Sequence, residues 1–225
     1  MAVADPTLEV EAALHAEGHR FVIGCDEVGR GAIAGPVAVG LALVDLAIGP
    51  FPLGLRDSKL LSEKRREELA PLARGWARYT AVGLASAAEV DEFGLTAAQG
   101  MAGRRALHEL HFAGAMISEA IVLLDGAHDW LNPALVSPVR VRTRVKADRD
   151  CASVSAAAVV AKVHRDRMMI DADARMPGYG WAGNKGYGSA GHLAAIAELG
   201  PTDFHRQTWL RQPVESLLVL DQLGE

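Results

Sequence analysis

Asp26 and Glu27 stand side by side where the apolar run FVIGCD ends, and a glycine-flanked arginine, Gly29-Arg30-Gly31, follows at once. Asp125 closes a second apolar run, AIVLLDG, and Asp148 ends the alternating stretch VRVRTRVKAD. Carboxylates gathered at neighbouring strand ends raise one another's pKa, so such a set is costly unless a cation compensates it. Mg²⁺ and Mn²⁺ take oxygen ligands, and Mg²⁺ usually keeps water and substrate phosphate in its shell. Two such ions about 3.5–4 Å apart can activate a water and stabilise the leaving oxygen of a phosphodiester. Any one of these acids alone is more often a solvated turn residue or an ion-pair partner. The set, with its glycines, reads better as metal-assisted phosphodiester chemistry.

Two phosphate-binding motifs compete for the same stretch. GRGAIA (29–34) fits G-x-G-x-x-A after a strand. Against it, two carboxylates sit where a pyrophosphate needs a positive field. Gly35–Pro36 also stops the helix whose N-terminus would hold the phosphates, and an apolar strand follows. The P-loop pattern fails as well: Gly24 and Gly29 have its spacing, but Arg30-Gly31 stands where Lys-Ser/Thr is required.

The elements that must carry these residues follow from periodicity and punctuation. A short amphipathic helix is expected over 7–17, and strands over 21–26 and 37–44 as a hairpin around the glycine-rich turn. Ser62 opens a helix, 77–86 reads as a strand, 97–110 as a helix and 120–126 as a strand ending at Asp125. Over 139–148, Val139, Val141, Thr143 and Val145 alternate with Arg140, Arg142, Arg144 and Lys146, which predicts a strand with one basic face. That face is more readily a solvated one than a phosphate-tracking stripe. Ser153 or Ser155 is expected to cap a long helix that Pro177 terminates. Residues 178–191 are glycine-dense and irregular, and 192–200 is a helix stopped by Gly200–Pro201. Strands near the start and helices between later strands predict an α/β mixed sheet.

Half of the 225 residues are hydrophobic and 23% are charged, which suits one core with a small appendage. A net charge of -5 argues against a generic DNA-coating protein, while a local basic stripe still allows a nucleic-acid enzyme. Cys25 and Cys151 are too few and too far apart for a disulfide framework or a zinc site, and read as buried thiols. The N-terminus has no basic segment followed by an apolar one, and no stretch is apolar for long enough to cross a bilayer. A cytoplasmic, non-membrane protein is expected. His164 reads as a helix-surface histidine, and Trp76, Trp130 and Trp209 as structural. The tail RQPVESLLVLDQLGE reads as a packing helix rather than a partner-docking segment.

Taken in order, GCDEVGRGAIAGPV, RDSKLLSEKRRE, VLLDG, KADRDCASVSAAAVVAKVHRDRM and YGWAGNKGYGSAGH resemble the successive motifs of ribonuclease HII, the type 2 ribonuclease H, across roughly residues 21–210. The resemblance implies a ribonuclease H-like fold: a mixed β-sheet flanked by helices, with a small helical C-terminal extension. It divides the chain into an N-terminal segment (1–20), a catalytic domain (21–191) and that extension (192–225). It implies a monomeric endonuclease that cuts the RNA strand of RNA–DNA hybrids and incises 5′ to single ribonucleotides in duplex DNA, leaving 3′-hydroxyl and 5′-phosphate ends. Carried over by position, Asp26, Glu27, Asp125 and Asp148 are the catalytic acids and hold Mn²⁺ or Mg²⁺. Gly29, Arg30 and Gly31 contact the 2′-hydroxyl at the RNA–DNA junction, and Tyr187 packs on the following deoxyribose. Lys59 and Lys185 read as phosphate contacts from the general dominance of backbone contacts, although lone lysines are more often solvated. The sequence departs from the family's commonest pattern in NKGY for HKGY, GYGS for GYGT and DSKLL for DSKKL, none of which touches the acids. A type 3 ribonuclease H would carry an extra N-terminal domain, for which the twenty residues before the first strand leave no room. Contact with a replication clamp is left open by the resemblance.

Overall fold

The computed structural model describes residues 5–210. Five strands, β1 (Phe21–Val28), β2 (Val37–Asp45), β3 (Tyr79–Ala85), β4 (Ala120–Asp125) and β5 (Arg140–Arg144), form one mixed sheet in the order β3-β2-β1-β4-β5. The helices are α1 (Glu9–Ala16), α2 (Glu63–Trp76), α3 (Ala87–Phe93), α4 (Leu95–Phe112), α5 (Ala147–Asp150), α6 (Ala152–Arg175), α7 (Trp181–Asn184), α8 (Ala190–Leu199) and α9 (Gln207–Leu210). The hairpin β1–β2 is antiparallel, and β1, β4 and β5 run parallel. The tail segment 211–225 lies outside the described residues.

β1 and β2 are almost continuously buried because helices cover both of their faces, which is why they read as unbroken apolar runs. On one face α4 packs over β2 and β3, and its Ala98, Ala102 and Ala106 meet Ile23, Cys25, Val39 and Leu41. On the other, α6 lies along β1 and β2, with Ala156, Ala157 and Val160 against the sheet and against α2. The small residues of α6 let it approach closely. A Cβ at Gly40 would collide with the Ala157 carbonyl, so only glycine fits there. α1 packs beside the start of β1, where Leu14 meets Val22, Val44 and Ile121.

Two expectations are corrected, and one helix was not foreseen. β5 spans only Arg140–Arg144, because Lys146 takes a left-handed conformation (φ 62°) that ends the strand and starts α5. Asp148 therefore sits on a helical turn and not at a strand end. Neither Ser153 nor Ser155 caps α6; Cys151 is the cap residue, and both serines lie inside the helix as donors to Glu11 and to the Asp148 carbonyl. Helix α3 was not expected, although Ser86 and Glu89 form a capping box at its start. The Ser62 cap of α2, the strand ending at Asp125 and the Gly200 stop of α8 are all present. No helix among the described residues is long and apolar enough to cross a membrane.

Candidate active site

Asp26 and Glu27 lie inside the last turn of pleat of β1, and alternation sends them to opposite faces of the sheet. Cys25 is in register with Leu124 of the parallel β4, so Asp26 and Asp125 are the next residues on adjacent strands. Asp125 Oδ1 accepts the Ala147 N–H at 2.7 Å, which draws the turn carrying Asp148 onto the end of β4. That turn is tied from two further sides. Ser155 Oγ donates to the Asp148 carbonyl at 2.7 Å. Thr7 pairs with Cys151, while Glu11 Oε1 accepts both the Ser153 N–H (2.8 Å) and its hydroxyl (2.7 Å). Four carboxylates thus reach one sheet edge from β1, β4 and α5.

Their charges act on one another. Burial first, then Glu27, Asp125 and Asp148, push the Asp26 carboxyl well above its usual range. Burial raises Glu27, with Arg30 opposing it, and burial raises Asp125 against the Ala147 N–H. Burial and the neighbouring Asp125 push Asp148 up to about 6. Lys59, at the 3₁₀ turn Ser58–Leu60, exerts a lowering influence on all four acids. Its ammonium makes no hydrogen bond among the described residues. Among those residues no three acidic, histidine or cysteine side chains are drawn together closely enough to grip a metal ion as they stand. Glu27 Oε2 is buried without any partner, and the donors are all oxygens. An open, oxygen-only set under mutual repulsion fits a hard divalent cation that completes its shell with water and phosphate.

Beside the acids, the turn after β1 has Gly29 buried in a left-handed conformation (φ 86°), and a Cβ there would collide with the Arg165 guanidinium. Arg30 is exposed, and its Nη1 donates to Glu27 Oε1 at 3.1 Å, so it sits between the acids and solvent. Ile33 and Ala34 N–H groups donate to the Gly186 carbonyl at 2.9 and 3.1 Å, which joins this turn to the loop bearing Tyr187. The Tyr187 ring is half-buried, with Lys162 Nζ 5.8 Å and the Arg165 guanidinium 5.6 Å from its centre. Lys185 differs from Lys59: its ammonium is buried against the Ala182 carbonyl and lies 3.4 Å from Glu63.

The remaining candidates lie outside this cluster. Arg142 pairs with Glu17 and Arg144 with Asp150, while Arg140 donates to the Ser118 carbonyl, so the basic face of β5 is exposed and internally paired. His164 is half-buried between α2 and α6, where burial and the nearby Arg74 and Arg167 lower its pKa. Cys25 and Cys151 are free and buried.

Sequence reading passed over Glu11, Arg165, His192, His205 and Arg206, all buried. Arg165 had a signal: it follows Ala157 and Ala161 at four-residue spacing, a charge on the apolar stripe of α6. His192 and His205 had none, because their partners, Trp181, the Tyr187 carbonyl and Thr202, meet only in the folded chain.

The chain matches the family model described as Ribonuclease HII over residues 23–212. A ribonuclease HII from Streptomyces avermitilis is 46% identical over 205 residues, 91% of this chain and 83% of that protein. Another, from Cereibacter sphaeroides, is 42% identical over 218 residues, 97% of this chain and 96% of that one. The ribonuclease H2 of Pyrococcus horikoshii OT3 superposes with a TM-score of 0.67 at 26% identity, covering 84% of this chain and 93% of its own. The Archaeoglobus fulgidus RNase HII, solved in complex with PCNA, gives 0.65 at 27% identity over 86% and 97%. With its mixed sheet and these relatives in agreement, the chain belongs to the ribonuclease HII family, the divalent-metal-dependent endonucleases that hydrolyse the RNA strand of RNA–DNA hybrids.

Proposed function

We propose that this protein incises 5′ to ribonucleotides, including single ones embedded in duplex DNA, and leaves 3′-hydroxyl and 5′-phosphate ends. The observation that carries this is the joining of two units at one edge: four mutually repelling carboxylates, and a glycine turn hydrogen-bonded to the loop of Tyr187. Asp26, Glu27, Asp125 and Asp148 would hold Mg²⁺ or Mn²⁺, which when bound supplies an activated water and compensates charge at the scissile phosphate.

The chain's own residues do the rest. Gly29 and Gly31 let backbone approach a ribose, whose 2′-hydroxyl distinguishes RNA from DNA. The half-buried Tyr187 ring offers a flat face to the next sugar and disfavours one carrying a 2′-hydroxyl. Lys59, beside the acids and unpaired among the described residues, would meet a phosphate, and Arg30 can turn from Glu27 to do the same. Lys185, already buried against Ala182, acts by holding its loop as much as by contacting phosphate.

The test is cleavage of two labelled duplexes, one all DNA and one with a single ribonucleotide, with Mg²⁺, with Mn²⁺ and with chelator. Metal-dependent incision 5′ to the ribonucleotide, with the all-DNA duplex intact, is the expected result. Cutting of both duplexes, or cutting in chelator, would overturn the reading.

A further inference from the structure

Arg206 lies in the segment between α8 and α9, fully buried, and its side chain reaches back to the glycine turn after β1. Nη2 donates to the Gly29 carbonyl at 2.7 Å and to Gly35 at 3.2 Å, and Nη1 donates to the Arg30 carbonyl at 2.8 Å. The backbone follows the same path: the Arg206 N–H donates to the Ile33 carbonyl, the Gly35 N–H to the Phe204 carbonyl, and Ala34 bridges to His205. Among the described residues no carboxylate pairs with this guanidinium. Burial, with Arg165 nearby, lowers its pKa to about 9.

A buried cation without a counter-ion is poor material for a purely structural strut, since an apolar side chain would fill the space at less cost. What arginine alone provides is a planar fork of donors that can hold several carbonyls at once. The carbonyls of Gly29 and Arg30 are thereby committed to the protein interior. The Arg30 and Gly31 N–H groups make no hydrogen bond among the described residues and stay free for an acceptor.

We propose that Arg206 is a positioning residue for ribose recognition: acting through the Gly29 and Arg30 carbonyls, it fixes the turn that reads the 2′-hydroxyl. The C-terminal segment thereby takes part in substrate selection. The inference rests on the reading of Gly29–Gly31 as the ribose-contacting turn.

The experiment compares Arg206→Lys, which keeps the charge and loses the fork, and Arg206→Met, which loses both, with the unaltered protein. Thermal melts establish folding, and kcat/KM is measured on a single-ribonucleotide duplex and on a continuous RNA–DNA hybrid. The single-ribonucleotide duplex offers one 2′-hydroxyl, whereas the hybrid offers one at every position of its RNA strand. Folded variants are expected to lose roughly tenfold to a hundredfold on the former, a loss typical of slight misplacement, and only a few-fold on the latter. Equal losses on both substrates, an unchanged ratio in the folded lysine variant, or failure of both variants to fold would overturn the proposal and leave Arg206 a stability residue. A Gly31→Val variant separates the two levels. If it too leaves the ratio unchanged, the reading of the turn fails. If it shifts the ratio while the arginine variants do not, only the role of Arg206 fails.

Discussion

At the scale of single residues, the carboxylates that meet at the strand ends are held there at a cost in stability. Asp148 ionises near 3.8 when exposed and at about 6 in the fold, so the folded state binds the extra proton. Its contribution is therefore present at low pH and is lost as pH rises from about 4 through about 6, and Asp26 and Glu27 carry the same sign. The metal-free protein should melt lower at pH 7.5 than at pH 5.5 from these groups, and Mg²⁺ should restore the melt at the higher pH far more than at the lower. Asp26→Asn removes one of the repelling charges. It should stabilise the metal-free protein by about 1–2 kcal/mol, or roughly 2–4 °C per kcal/mol in a chain of this size, while abolishing cleavage. A variant that cuts at near-normal rates would remove Asp26 from the metal site. Tyr187→Ala should keep the melt and lower the preference for a ribonucleotide–deoxyribonucleotide junction; unchanged preference would leave the ring a packing group. That Asp26, Glu27 and Asp125 would come together was legible because they stand where strong apolar runs end. The buried Glu11 and Arg206 were not, because a charge is hidden only by partners distant in sequence.

At the scale of elements, the site depends on how closely α6 lies on the hairpin. Gly40 is the register partner of Asp26, and its face is occupied by the Ala157 carbonyl and Ala161. Backbone cannot swing aside as a side chain can. Gly40→Ala should therefore cost about 1–3 kcal/mol, the usual range for overpacking a core, and should lower kcat by displacing β1 beside Asp26. A melt and rate equal to the unaltered protein would mean that α6 is free to lift. The long helices and buried strands were readable from periodicity, since each satisfies its own hydrogen bonds and shows one apolar face. β5 was overread by its alternation: Val145 continues the pattern but is exposed, because Lys146 has already turned the chain toward Asp125. The left-handed turn at Lys146 that ends the strand is tied down by a tertiary hydrogen bond, from the Ala147 N–H to Asp125, which no local pattern records.

At the scale of the whole molecule, the two ends of the described chain meet different halves of the site. The C-terminal segment holds the glycine turn through Arg206 and is itself anchored by Asp91 of α3, which accepts the Gln207 and Thr208 N–H groups. The N-terminal segment holds the acids: Thr7 pairs with Cys151, and Glu11 takes the N–H and hydroxyl of Ser153 where α6 begins beside the Asp148 turn. Among the described residues Glu11 Oε2 is buried without a partner, and burial raises the pKa of this carboxyl. Its value therefore lies in the acceptor oxygen, not in its charge. Glu11→Gln keeps an acceptor and should be close to neutral in the melt. Glu11→Ala leaves the start of α6 without its acceptor and should cost about 1–3 kcal/mol. On the proposed role of the Asp148 turn in holding metal for either substrate, Glu11→Ala should lower kcat alike on the single-ribonucleotide duplex and on the continuous hybrid, with KM little changed. A substrate-selective loss would instead place the N-terminal segment with the ribose-reading half. A glutamine variant as damaged as the alanine one would assign the effect to the buried charge.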